Sequence, residues 1–425
     1  MTTNILINNI SGASPFNIYL CDPSNITCIY IDTIPSSSLP YEFVVPVILE
    51  TQSSFSLKVV DSNNCVFYQN LTVINTTPYQ FQPSTSFYFT DEVNNDTFAY
   101  VYGEFTGYTY NNTSVNRLVK LNQDLTVDYT FTGGTGFNSN LYSFNSITQQ
   151  PNGKLIVTGD FTQYSGVSAN RIVRLNTNGS IDNTFSYGTG FNDLSSGSAI
   201  DSTGKIVIVG SFSSYSGTSS PRIIRLNTDG TIDNTFSAGT GFNNAAIDVL
   251  INSDDTMYVT GYFNSYNGTA VLQGITKLLS TGAIDTSFSA GTGFNSGIYQ
   301  PNGLMRISGE TSFYSFGYFT TFDGVSEIKI ARFFGNGSLD TSFNFGEVGF
   351  NGDVYYGCII WTDKLLLTGA FTEYNNIPSN GTIILNSDST IYQTFNNLYL
   401  GIFFIGNKLY GQQSGSLIEL ILTHP

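Results

Sequence analysis

Histidine occurs once in these 425 residues, as His424, and that removes most of the familiar catalytic chemistry. A Ser-His-Asp or Cys-His machine and a His-based metal site all need an imidazole inside the fold. Carboxylate acid and base work stays available, since glycoside hydrolysis needs only two carboxyl groups at a suitable separation. Glu104, Asp160, Glu310 and Glu373 stand at or near a recurring Gly-x-Phe marker, so they are the first candidates for such a pair. The third and fourth copies of the marker carry Ser211 and Tyr262 there instead, which favours solvation of a turn or channel. No catalytic, metal or cofactor-binding residue is assigned, and no cofactor is called for.

A second spacing is more regular. Lys120, Arg174, Arg225, Lys277 and Arg332 each precede an aspartate by eight residues: Asp128, Asp182, Asp233, Asp285 and Asp340. In "RLNTNGSID" that spacing centres a hairpin on Asn178 and sets Arg174 across from Asp182, where opposite charges pair. The sixth copy, "ILNSDSTIY", has Ile384 and Tyr392 at those positions, two groups that can pack across a hairpin. Losing one partner of a half-buried pair is costly, whereas replacing both can be neutral. The joint change marks structural ion pairs rather than a ring of ligands.

These residues belong to repeats. Gly-Thr-Gly-Phe-Asn begins at Gly134, Gly188, Gly239 and Gly291, and the phenylalanines Phe131, Phe185, Phe236, Phe288, Phe343 and Phe395 recur at intervals of 54, 51, 52, 55 and 52 residues. Gly-x-Phe falls once per unit, at Gly103, Gly159, Gly210, Gly261, Gly317 and Gly369. One unit reads as four short strands, "NLYSFNSITQ", "GKLIVTGDF", "RIVRLN" and "SIDNTF", joined by polar, Gly-rich turns. A sheet this small cannot bury its own faces, so units must stack. The fold class expected is all-β, a β-propeller with seven blades and an incomplete last one; a six-bladed ring with a C-terminal extension and a linear solenoid are the alternatives. Phe137, Phe191, Phe242, Phe294 and Phe350 then fill the space between adjacent blades. Tyr108, Tyr164, Tyr215, Tyr266 and Tyr374, each three residues beyond the phenylalanine of its marker, are blade packing before they are ligand contacts. Gly-x-Gly here supplies tight backbone geometry, because neither a helix nor a phosphate-binding lysine follows it.

Residues 1–78 do not match the unit. Stretches such as "FNIYLC", "CIYIDTI" and "SFSLKVV" suggest about six strands of a small β-sandwich, an attachment or assembly domain ahead of a propeller over 79–425. A cap on the first blade is the plainer alternative. Cys21, Cys28 and Cys65 leave pairing open, including free thiols, and Cys358 reads as a small core residue. Charged residues are only 11 % of the chain and aromatic ones 15 %, so amides, hydroxyls, glycine and tyrosine must cover the surface. A net charge of −16 speaks against nucleic acid and anionic membranes as partners. The first residues lack the basic and apolar regions of a classical signal peptide, and no apolar run is long enough to span a membrane.

The paired sequences "GKLIVTGDFTQYSG…RIVRLNTNGSIDNTF" and "GKIVIVGSFSSYSG…RIIRLNTDGTIDNTF" resemble the delta-60 type β-propeller repeat family over residues 93 to about 397. That resemblance implies a propeller without a fixed activity. The segments "SPFNIYLCD", "FVVPVIL" and "DSNNCVFY" are similar to small domains in structural proteins of tailed bacteriophages. The expectation is a non-enzymatic virion structural protein, tail or baseplate associated and part of a multimeric assembly. It would bind other virion proteins through residues 1–78 and contact a host-surface glycan or protein through the propeller. A secreted, extracellular glycan-binding adhesin and a carboxylate-dependent glycoside hydrolase are the alternatives.

Overall fold

In the computed structural model the described residues are 4–7, 13–21, 28–38, 41–44, 54–72, 87–89, 98–103, 108–110, 113–115, 117–123, 128, 130–131, 134–138, 146–288, 291–295, 301–326, 329–343, 348–361, 363–395, 400–405, 408–413 and 416–420. They form strands and turns with one short 3-10 turn and no α-helix. The chain divides into two compact units, Met1–Tyr79 and Gln80–Pro425.

The first unit holds an antiparallel four-stranded sheet in the order Cys28–Ile34, Phe16–Cys21, Ser54–Val60, Val66–Thr72, and a two-stranded pair, Asn4–Ile7 with Tyr41–Val44. Alternation puts Phe16, Ile18, Leu20, Leu57 and Val59 inside. Cys21 and Cys28 face each other in the ladder and form a disulfide, while Cys65 is an exposed thiol and Cys358 a buried one. The Asp61 carboxylate closes the next turn by accepting the Ala13, Asn63 and Cys65 amides, which hold its pKa below the usual carboxylate value.

The second unit is a β-propeller of seven sheets among the described residues. The second blade shows the plan: Ser146–Gln149 innermost, then Leu155–Thr158, then Ile172–Leu175, with a two-residue hairpin, Gln163–Tyr164 and Val167–Ser168, inserted before the third strand. The expected fourth strand is reduced in blades two to five to single bridges: Leu175 to Ile181, Leu226 to Ile232, Leu278 to Ile284 and Phe333 to Leu339. It stops there because the next residue, Asp182 in blade two, turns its carboxylate onto the amide and hydroxyl of Thr184. In blade six Tyr392 makes no such turn, and the strand continues as Ile391–Thr394.

The seventh sheet, Leu400–Ile405, Lys408–Gln413 and Ser416–Leu420, pairs only with itself, and its first strand lies against Phe87–Phe89 and Phe98–Gly103 of the first sheet. The ring is thus closed by a blade of three described strands, not by an extension of the sixth. Its core lies between sheets. Ile156 and Ile172 of blade two join Ile206, Ile208, Phe212 and Tyr215 of blade three in one cluster, and the same arrangement recurs around the ring.

Gly241 shows why the repeated Gly-Thr-Gly-Phe phrase needs its second glycine. It sits at φ 63°, and a Cβ there would collide with the Pro221 carbonyl oxygen. Gly241→Ala is expected to cost about 2 kcal/mol or more, the left-handed penalty plus the collision. A urea denaturation midpoint equal to that of the parent protein would contradict this.

Candidate functional site

The five cation–aspartate pairs all lie in contact. Shortest nitrogen–oxygen distances are 2.8 Å for Lys120–Asp128, 2.6 Å for Arg174–Asp182, 2.7 Å for Arg225–Asp233, 3.0 Å for Lys277–Asp285 and 2.7 Å for Arg332–Asp340. The hairpin sets them opposite each other, as the Asp182 amide donates to the Arg174 carbonyl at 2.9 Å. Burial alone would raise each aspartate pKa. Hydrogen bonds from the cations and from the Thr or Ser two residues on outweigh it, so all five are held below the usual value, Asp182 and Asp233 furthest. Those two take a second cation, Lys154 at 2.8 Å and Lys205 at 2.9 Å.

Sequence spacing missed where the arginines' remaining donors go. Arg174 also donates to the Thr228 carbonyl of the following blade, Arg225 to Ser280 O at 2.6 Å and Arg332 to Ser387 O at 2.7 Å. Each pair therefore ties its own hairpin to the fourth-strand turn of the next blade. A guanidinium has donors enough for aspartate, hydroxyl and carbonyl together, whereas an ammonium is a point charge with three. In the Lys277 blade a tyrosine makes the tie: Tyr258, across the ladder from Lys277, donates its hydroxyl to Gly335 O of the next blade at 3.0 Å. Tyr100 holds the same place opposite Lys120, where burial and the Asp128 charge push its pKa up to about 12.

The sixth blade corrects one expectation. Ile384 stands across from Gln393, because the ladder bulges between Ile384 and Leu385, so Tyr392 is not its partner. Tyr392 instead packs on Trp361 with the Lys364 ammonium over its ring, in a cluster containing Ile384 and Leu409 and Leu420 of blade seven. Blade seven has no fourth-strand turn among its described residues. Apolar contact takes over that seam.

Phe137, Phe191, Phe242, Phe294 and Phe350 bridge to the short hairpin of the following blade, at Tyr164, Tyr215, Tyr266, Phe322 and Tyr374. All five phenylalanines are buried. The four tyrosines are buried too and donate their hydroxyls to Gly179, Gly230, Gly282 and Ser389 carbonyls, so they are not exposed aromatics. The side chain of Tyr108 lies outside the described residues.

The three described candidate carboxylates, Asp160, Glu310 and Glu373, have separate settings. Asp160 occupies the marker itself, exposed and 3.4 Å from the Arg171 guanidinium. Glu310 lies before strand Phe313–Gly317 rather than after it, at the opposite end of the blade, and accepts the Ser312 hydroxyl. Glu373 is in the short hairpin, and Glu104 lies outside the described residues.

What does converge is one end of the ring. The amide of the middle residue of Gly-x-Phe donates to the residue ahead of its inner strand: Ser211 to Leu194, Tyr262 to Ala245 and Ala370 to Asp353. Five inner strands carry a register shift at the same place, where Ser196, Ile247, Asn302, Tyr355 and Gly401 are the extra residues. The marker supplies Asp160, Ser211, Tyr262, Tyr318 and Ala370 in turn, four kinds of side chain over five copies of one backbone position. Tyr355 is 50 % exposed, and its ring centroid lies 6.1 Å from that of Tyr318. No group of three or more potential metal ligands occurs among the described residues.

A family model described as domain of unknown function (DUF5122) beta-propeller matches residues 100–131, 150–185, 202–236, 253–288 and 316–343. Every stretch ends on the recurring phenylalanine, so the array is built of β-propeller repeats. No curated protein sequence matches the chain. Among solved structures, BamB from Moraxella catarrhalis is 13 % identical, with 79 % of this chain and 97 % of that one covered and a TM-score of 0.39. YCF48 from Cyanidioschyzon merolae is 10 % identical over 80 % and 96 %, at 0.35. A gluconolactonase from Xanthomonas campestris is 12 % identical over 65 % and 85 %, at 0.37.

Arg225→Met is expected to cost about 3 kcal/mol, since it leaves buried Asp233 with Lys205 as its one remaining cation and unties blade four. A shift in urea midpoint no larger than that of an exposed-lysine control would contradict it. The aspartate pKa values are lower in the folded chain than the ordinary carboxylate value of 3.8, so their contribution is complete above that value and is lost as pH falls through the folded values. Urea midpoints should hold steady down to about pH 5 and fall below about pH 4. An acid branch unchanged in Asp182→Asn would contradict the assignment.

Proposed function

We propose that this protein is a non-enzymatic virion structural protein, tail or baseplate associated, whose propeller is a rigid display for surface recognition. The observation that carries the display is the Gly-x-Phe position: one fixed backbone site per blade bears Asp160, Ser211, Tyr262, Tyr318 and Ala370 at the same end of the ring. A symmetric scaffold with an asymmetric end suits recognition of one irregular surface. The separate settings of Asp160, Glu310 and Glu373 favour binding over hydrolysis. The virion assignment rests on the resemblance of "SPFNIYLCD" and its neighbours to small domains of tailed-phage structural proteins, with the repeat array resembling the delta-60 type. In this reading residues 1–78 anchor the chain to other virion proteins, and the host-surface partner is a glycan or protein. Its alternative is a secreted adhesin with the same binding end.

Antibodies raised separately against residues 1–78 and against the array should, on intact purified particles, label the array at the tail and leave the N-terminal unit unlabelled. Absence of the protein from disrupted particles would overturn the virion assignment.

A further inference from the structure

Tyr318 and Tyr355 come from adjacent blades; the backbone of Tyr355 is held from blade five, and that of Tyr318 by a lysine of its own blade that also pairs across the seam. The Asn302 side-chain amide of blade five donates to Tyr355 O of blade six at 2.7 Å. Lys329 of blade five donates to Tyr318 O at 2.8 Å and pairs with Asp353 of blade six at 2.7 Å. Asp353 in turn accepts the Ala370 amide through its backbone carbonyl at 2.8 Å. The two rings are inclined at 48°, and the backbone that carries them is held before any ligand arrives, which leaves less ordering for binding to oppose.

The surroundings define the ligand. Tyr355 offers an aromatic ring half open to solvent, with a phenol hydroxyl at its edge. The Asp353 carboxylate, its side chain 39 % exposed, has lone pairs beyond those facing Lys329 that can accept from a ligand's hydroxyl groups. Its charge is matched by Lys329, which leaves no surplus cation to hold an anion among the described residues named here, and the chain as a whole carries −16. An exposed aromatic face beside hydroxyl acceptors and without a free cation fits a neutral pyranose, whose C–H face lies on a ring while its hydroxyls turn outward.

We propose that the blade five–six seam at the marker end is a binding site for a neutral saccharide, which stacks on Tyr355 against Tyr318 and donates hydroxyls to Asp353. The inference rests on the display reading above and names the ligand class for that end of the ring; it does not depend on the virion assignment.

The test uses the full chain and a panel of neutral oligosaccharides ending in glucose, galactose, mannose or N-acetylglucosamine, followed by saturation-transfer NMR and calorimetry. At least one should bind, equally well in low and high salt. Tyr355→Ala should weaken it by about tenfold or more, Tyr355→Phe should retain it, and Val167→Ala, on a distant hairpin, should leave it unchanged. Melting curves for Tyr355→Ala should match the parent, since that ring is half exposed. Absence of binding across the panel, binding that Tyr355→Ala leaves intact, or preference for a sialylated glycan or for choline would each overturn the site. A saccharide-binding protein absent from particles would overturn the virion assignment alone, and a particle protein that binds no member of the panel would overturn this site alone.

Discussion

A charged side chain that reaches from one blade into the backbone of the next sets the order of this ring. Arg174, Arg225 and Arg332 satisfy an aspartate in their own hairpin and a carbonyl in the neighbouring turn at once. Apolar contact between sheets supplies most of the attraction, but it is non-directional and would tolerate sliding. A buried guanidinium does not, because leaving any of its partners unpaired in the seam is costly. The tie therefore fixes the height and rotation at which each sheet meets the next.

Three features follow from that tie. The aspartate that receives the cation also turns onto its own Thr or Ser, which ends the fourth strand after a single bridge and frees the chain for the Gly-Thr-Gly-Phe crossing. Where lysine replaces arginine at Lys277, Tyr258 makes the crossing bond in its place. In blade six cation and aspartate are both gone, and Trp361, Tyr392 and Leu409 form an apolar seam. With the recurring charges committed to these seams, residues that differ between blades stand at the marker end, Tyr318 and Tyr355 among them.

Much of this was legible in the sequence because the repeats compare themselves. The eight-residue spacing of Arg174 and Asp182 is a hairpin property, local enough to read without coordinates. The bond from Arg174 to Thr228 spans 54 residues, and nothing at either position records the other, so the tie could be found only in three dimensions. The joint loss at Ile384 and Tyr392 was visible, yet the apolar cluster with Trp361, Leu409 and Leu420 that surrounds those positions was not. Glu310 looked equivalent to Asp160 from its nearness to a marker, but it belongs to the preceding turn, at the other end of the strand. Tyr355 gave no signal at all, because its exposure comes from a one-residue register shift between Val354 and Tyr356 that the strand pattern hides.

The most direct measurement of the tie between blades is native-state hydrogen exchange on Arg225→Met beside the parent chain. If Arg225 holds blade four, protection should fall at the Leu279 and Gly282 amides of that blade's turn and at Ser237, whose amide donates to Thr281 O at 2.9 Å. Loss confined to the hairpin from Asn227 to Asp233, with the blade-four turn as protected as in the parent, would contradict the inter-blade tie and leave only a pair within one sheet.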